Sequence, residues 1–171
     1  MLFRWLKGEA AGASERPSAS EELKRLVQQS LGDTDGETAA IVGAVAGLLA
    51  FVAYADRSYS EQERAAVEAA LARVQGLPAH TVEAVSELLG SRIRELAGES
   101  LPTYTRVLYE LTERGARLEV LEVLMDVAVA DEVLSMDETN SLRRIAKLLG
   151  LAEEEYLSAQ SRHRDRLSVL S

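Results

Sequence analysis

Apolar residues recur along this chain at intervals of three and four, the period of helices that each bury one stripe. Leu23, Leu26, Val27 and Leu31 make the first stripe, with Ser20 placed to cap it, Glu21 and Glu22 in its first turn, and Gly32 as its stop. Thr38 to Ala55 follows as eighteen residues without a charge. Glu61 to Gln75 reads as a third helix, with Ala65, Val67, Leu71 and Val74 mostly on one face and Gly76 behind it. Pro78 suits the first turn of a fourth, which runs to about Ala97 with Val82, Val85, Leu88, Leu89, Ile93 and Leu96 at helical spacing. Pro102 opens a fifth through Tyr104, Val107, Leu108 and Leu111, stopping near Gly115. The same spacing predicts three more: Ala116 to Ala130, about Met136 to Leu149, and a last helix running from the acidic "AEEEY" into the basic "RHRDR". Charges of those signs suit the dipole at both ends.

The uncharged run has the minimum length for a membrane span. Three features oppose that reading. The run is rich in alanine and glycine, its flanks Asp35, Glu37 and Asp56 are acidic, and basic anchors are missing. Its counterpart at 116–130 carries Glu119, Glu122 and Asp126. A helix buried on most sides at the centre of a bundle fits better.

That counterpart belongs to a repeat. "AYADRSYSEQE" at 53–63 returns seventy-five positions later as "AVADEVLSMDE", matching Ala53, Ala55, Asp56, Ser60 and Glu63 to Ala128, Ala130, Asp131, Ser135 and Glu138. Val45, Leu48, Leu49 and Val52 have the counterparts Val120, Val123, Leu124 and Val127. The expected fold is an all-α, single-domain bundle of about eight helices in two pseudo-symmetric halves of four, repeating over about 38–77 and 113–152, with the two apolar helices forming the shared core. Two copies are too few for a solenoid.

Composition narrows the picture further. Aromatics are 5% and prolines number three, which favours helix over sheet. A net charge of −9 disfavours nucleic acid and suits cations or basic partners. Cysteine is absent, so disulfides, thiolate-bound metals and cysteine nucleophiles are excluded. "MLFRWLKGEA" has too short an apolar part for a secretory signal, so the cytoplasm is the expected compartment. Residues 8–19, small, polar and proline-bearing, read as a flexible linker between the helical domain and a short amphipathic head at 2–7. The apolar Leu2, Phe3, Trp5 and Leu6 of that head either dock into a groove of this domain, a second copy or a partner, with weak membrane contact as the alternative, or form a disordered terminus.

The repeated phrase carries two chemistries. Ser60 with Glu63, and Ser135 with Glu138, stand at the spacing of a capping box. Tyr59 and Leu134 precede the caps as apolar plugs, although Arg64 and Thr139 stand where a staple partner would be hydrophobic. Capping leaves Asp56 and Asp131 unexplained, because each closes a helix at the end whose dipole disfavours an anion by about 0.3–1 kcal/mol. An Asx turn onto loop N–H groups would offset this. Alternatively the corners seat a hard cation, which prefers oxygen ligands; Glu132 and Asp137 make the second more acidic. Neither corner has the spacing of an EF-hand loop, nor does "DTDGE" at 33–37.

An alanine-rich helix ending in Ala-x-Ala-Asp and leading to Ser-x-x-Glu, present twice, resembles the TerB-like family, which includes tellurite-resistance TerB and the cytoplasmic domain of the DjlA co-chaperones. The resemblance covers most of Thr38 to Tyr156. It implies an all-α fold with internal pseudo-symmetry and a divalent-cation site at Asp56 and Glu63 in one half and Asp131 and Glu138 in the other. Where the family has glycine after each aspartate, this chain has Arg57 and Glu132. Arg57 would weaken a cation site, which makes the second corner the better seat. His80 and His163 are isolated, His80 expected to be exposed and His163 part of a basic helix end; no nucleophile, base or phosphate loop is identifiable, and the chain reads as non-enzymatic. Two functions follow: a divalent-cation-binding domain of a stress or tellurite-resistance-type system, or a helical module that docks another protein and uses its carboxylates only as caps.

Overall fold

The computed structural model describes residues 16–32, 36–74, 76–130 and 134–169, with side chains through Arg164. Among these it forms eight helices and no strand: α1 (Ala19–Leu31), α2 (Gly36–Ala53), α3 (Glu61–Ala72), α4 (Ala79–Gly98), α5 (Leu101–Leu111), α6 (Arg114–Ala128), α7 (Met136–Leu148) and α8 (Glu153–Val169). The all-α expectation holds. The head at 2–7 and most of the linker lie outside the described residues, as do Asp131 and Glu132.

Local chemistry sets the boundaries. α1 is capped by Ser18, two residues before the expected Ser20, and Glu21 completes the box: its N–H donates to Ser18 Oγ at 3.2 Å and its Oε2 accepts from Ser18 N at 3.0 Å. Ser20 instead turns its hydroxyl to Glu99, at 2.9 Å. Pro78 is the N-cap of α4 rather than part of its first turn. The break between α5 and α6 falls at Thr112 and Glu113, so Gly115 lies inside α6 instead of ending α5. α8 starts where Ala152 N donates to Glu155 Oε2 at 2.7 Å, and Arg114 grips the same carboxylate from α6. Hydrogen bonds from Arg114, and then from the Ala152 N–H, hold the Glu155 carboxyl below its usual range.

α2 is the hub. It packs against α1, α3, α4, α5, α6 and α7, and Leu48, Leu49, Ala50 and Val52 are fully buried. It is apolar and long enough to cross a membrane, yet 67% of it is buried inside the bundle, as the core-helix reading requires. α5 crosses it closely at Gly47, where a Cβ would stand 2.3 Å from the Tyr104 ring. α6 is buried along one face only: Leu121, Leu124, Val127 and Ala128 turn inward, while Glu119 is exposed. The contacts are reciprocal across the sequence offset. α2 and α6 pack on each other, each packs on the helix that follows it (α3 and α7), and each also packs on the other's follower.

α4 is kinked at Arg92, whose φ of −128° and ψ of 24° are non-helical. Its guanidinium bonds Glu22 and Glu95, and donates to the Pro17 carbonyl at 3.0 Å. The start of the described chain is thereby pinned beside α4.

Candidate functional site

The corner between α2 and α3 begins as the last turn of α2 unwinds. Tyr54 N still donates to Ala50 O at 3.1 Å, but Ala55 N reaches only three residues back, to Val52 O at 3.1 Å. Arg57 then takes φ +67°, the only non-glycine with positive φ among the described residues. This is the position where the resemblance leads one to expect glycine, which enters the left-handed region without strain. Asp56 is exposed, and its Oδ1 accepts from Ser58 N at 2.8 Å and from Ser58 Oγ at 2.7 Å. The expected Asx turn is present.

Both capping boxes form with the same geometry. Glu63 N donates to Ser60 Oγ at 3.1 Å, and Ser60 N donates to Glu63 Oε2 at 2.7 Å. Glu138 N donates to Ser135 Oγ at 3.1 Å, and Ser135 N donates to Glu138 Oε2 at 2.7 Å. Upstream, Val129 N reaches Met125 O at 3.0 Å and Ala130 N reaches Val127 O at 3.1 Å, which repeats the end of α2 residue for residue. Tyr59 and Leu134 pack against the core as plugs. The missing staple partner at the first cap is replaced by the Arg64 guanidinium, 5.7 Å from the Tyr59 ring centre. At the second, Thr139 Oγ1 donates to Ser135 O at 2.9 Å.

Both cap glutamates are buried, Glu63 at 2% exposure and Glu138 at 5%. Glu138 makes no ion pair with a described lysine, arginine or histidine. A carboxylate withdrawn from water without a cation loses hydration that one N–H cannot replace. Of the four candidate ligands, Asp56 lies in the turn leading to Glu63, Glu138 is the counterpart of Glu63, and Asp131 lies outside the described residues. Among the described residues, no three histidine, aspartate or glutamate side chains converge as ligands for one ion.

A second polar cluster was not legible in the sequence. His163, expected as part of a basic helix end, is 3% exposed. Its Nδ1 lies 2.8 Å from Ala159 O and its Nε2 lies 2.9 Å from Asp126 Oδ1, while Arg73 donates to Asp126 Oδ2 at 3.0 Å. The available signal was the spacing of Tyr156, Ala159 and His163, which places the imidazole on the apolar stripe of α8. His80 is exposed, as expected.

A family model described as tellurite resistance protein TerB matches residues 43–161, more than two-thirds of the chain. The matched region runs from within α2 into α8 and includes both corners. No curated protein and no solved structure matches the chain. The chain therefore belongs to the family of the tellurite resistance protein TerB.

Proposed function

We propose that this chain is a non-enzymatic TerB domain of a cytoplasmic stress or tellurite-resistance-type system, and that it takes a divalent cation at the corner between α6 and α7 through Glu138 and Asp131. The observation that carries this reading is Glu138 itself, a carboxylate 5% exposed with no described cationic partner. A hard divalent cation would supply the missing charge, and in sequence Glu132 adjoins Asp131 and Asp137 adjoins Glu138. Asp56 and Glu63 form the weaker seat, because Arg57 follows Asp56 and two bonds from Ser58 already engage Asp56 Oδ1. No residue is given a catalytic role.

The second reading is a protein-docking helical module whose carboxylates only cap helices. The completed boxes at Ser60 and Ser135 favour it, since they account for one oxygen of each glutamate without any ion. Thermal melting with added calcium, magnesium, manganese or zinc separates the two. At a hundredfold excess over the dissociation constant, a cation stabilises by about 2.7 kcal/mol. In a chain of this length that is a rise of roughly 5–11 °C. Asp131→Asn keeps a turn-forming oxygen, removes the charge, and should lose much of that rise. If all four cations at millimolar concentration leave the wild-type melting temperature unmoved, the cation reading fails and the caps remain.

A further inference from the structure

α1, α2 and α5 enclose an apolar cleft of about 220 Å³ on the side of the bundle where the described chain begins. Leu23, Ala40, Ala44, Tyr104 and Val107 line it, with Glu21 and Lys24 among its polar residues. Gly43 lines it too, and a Cβ there would meet nothing within 4 Å, so the space in front of it is open. The volume is below the roughly 300–1,000 Å³ of small-molecule sites and better suits one or two apolar side chains.

We propose that the cleft is the docking site of the chain's own head, with Trp5 seated between α1 and α5. The tether leads there. Ser20 and Glu21, in the first turn of α1, line the cleft, and Arg92 pins Pro17 just before them. The nine Cα steps from Lys7 to Arg16 span at most about 30 Å, enough for the head to reach the cleft. A short tether of this kind gives an effective concentration on the order of millimolar, which favours the attached segment over a free partner. Charge points the same way. The head carries Arg4 and Lys7 and no acid, and without those two the chain has 17 Lys+Arg against 28 Asp+Glu, a net charge of −11. Four large apolar residues within five positions also need cover, and this cleft is apolar.

Trp5 is the single tryptophan, so its fluorescence in the full chain reports the head alone. Docking predicts blue-shifted emission, shielded from acrylamide and independent of protein concentration. Gly43→Phe fills the cleft from α2 and should red-shift the emission and raise quenching several-fold, with helical circular dichroism unchanged. Ala40→Lys, which sets a cation against Arg4 and Lys7, should act in the same direction and guards against misfolding of the first variant. Water-like emission in the wild type overturns the proposal. So does emission that neither variant alters, a blue shift that grows with protein concentration, or one that appears only with anionic phospholipid vesicles.

Discussion

His163 Nε2 lies 2.9 Å from Asp126 Oδ1, and through this contact α8 is tied to α6 inside the bundle. The ring's other nitrogen faces the Ala159 carbonyl, so both nitrogens meet acceptors. Asp126 Oδ2 takes a bond from Arg73 at the end of α3, so one carboxylate joins three helices. Glu122, paired with Arg162, completes the cluster with Oε2 3.5 Å from His163 Nδ1.

Asp126→Ala should therefore destabilise the fold by about 1–3 kcal/mol, because it strips the acceptor from a buried imidazole. At about 2–4 °C per kcal/mol, the melting temperature should fall clearly. Asp126→Asn keeps an acceptor oxygen for Nε2 and should lose less. An alanine variant that melts with the wild type would show that the contact contributes nothing.

The crossing of α2 and α5 makes a sharper prediction. Gly47→Ala places a Cβ 2.3 Å from Tyr104 Cε1. The ring is 4% exposed and its hydroxyl donates to Leu96 O at 3.2 Å, so it cannot move aside without losing that bond. Overpacking of this kind costs about 1–3 kcal/mol, enough to outweigh the helix-propensity gain of about 1 kcal/mol. Gly90→Ala in α4 is the control. Its close neighbour is the end of the Arg64 side chain at 3.0 Å, which can swing away. There the propensity gain should prevail and the melting temperature should rise.

Arg57 tests the corner between α2 and α3. A left-handed residue other than glycine costs about 1–2 kcal/mol. Glycine removes that strain but returns part of the gain by loosening the unfolded chain, by about 0.4–1 kcal/mol. Arg57→Gly should thus stabilise by up to about 1.5 kcal/mol. Arg57→Val, β-branched and intolerant of φ +67°, should destabilise. Denaturant midpoints that rank valine above glycine would refute the strain argument.

Much of this architecture was readable because helix period and capping are local. Leu48, Leu49 and Val52, with Leu124 and Val127 seventy-five positions later, are buried as their spacing requires, and both Ser-x-x-Glu boxes close. The misses were decided by contacts between distant residues. Ser18 rather than Ser20 caps α1 because Glu21 can reach back to it, while Ser20 is drawn to Glu99 seventy-nine positions away. Gly115 resembles a helix stop, yet the break falls where Arg117 can donate to the Tyr109 and Thr112 carbonyls. His163 looked like one more basic residue until α6 supplied Asp126 as its partner.

Tyr59 offers the last test. Its hydroxyl is buried with no hydrogen-bond partner among the described residues. Burial raises the phenol from 10.0 to about 12; Arg64 pulls it down, whereas Glu63, Glu61 and Glu68 push it up. In the unfolded chain the same group ionises near 10. Between those values the unfolded state has released a proton that the folded state keeps, so stability must fall as pH rises from 10 towards 12. Tyr104 and Tyr156, both raised by burial, add to that loss. Tyr59→Phe removes an unpartnered hydroxyl and leaves the ring under Arg64, so at neutral pH it should stabilise by about 1 kcal/mol. It should also flatten the alkaline decline, because one of the contributing groups is gone. Urea midpoints taken at pH 8 and pH 11 read both effects at once. If the two proteins decline in parallel, the hydroxyl is better solvated than its surroundings indicate, and the assignment of the shift to burial fails.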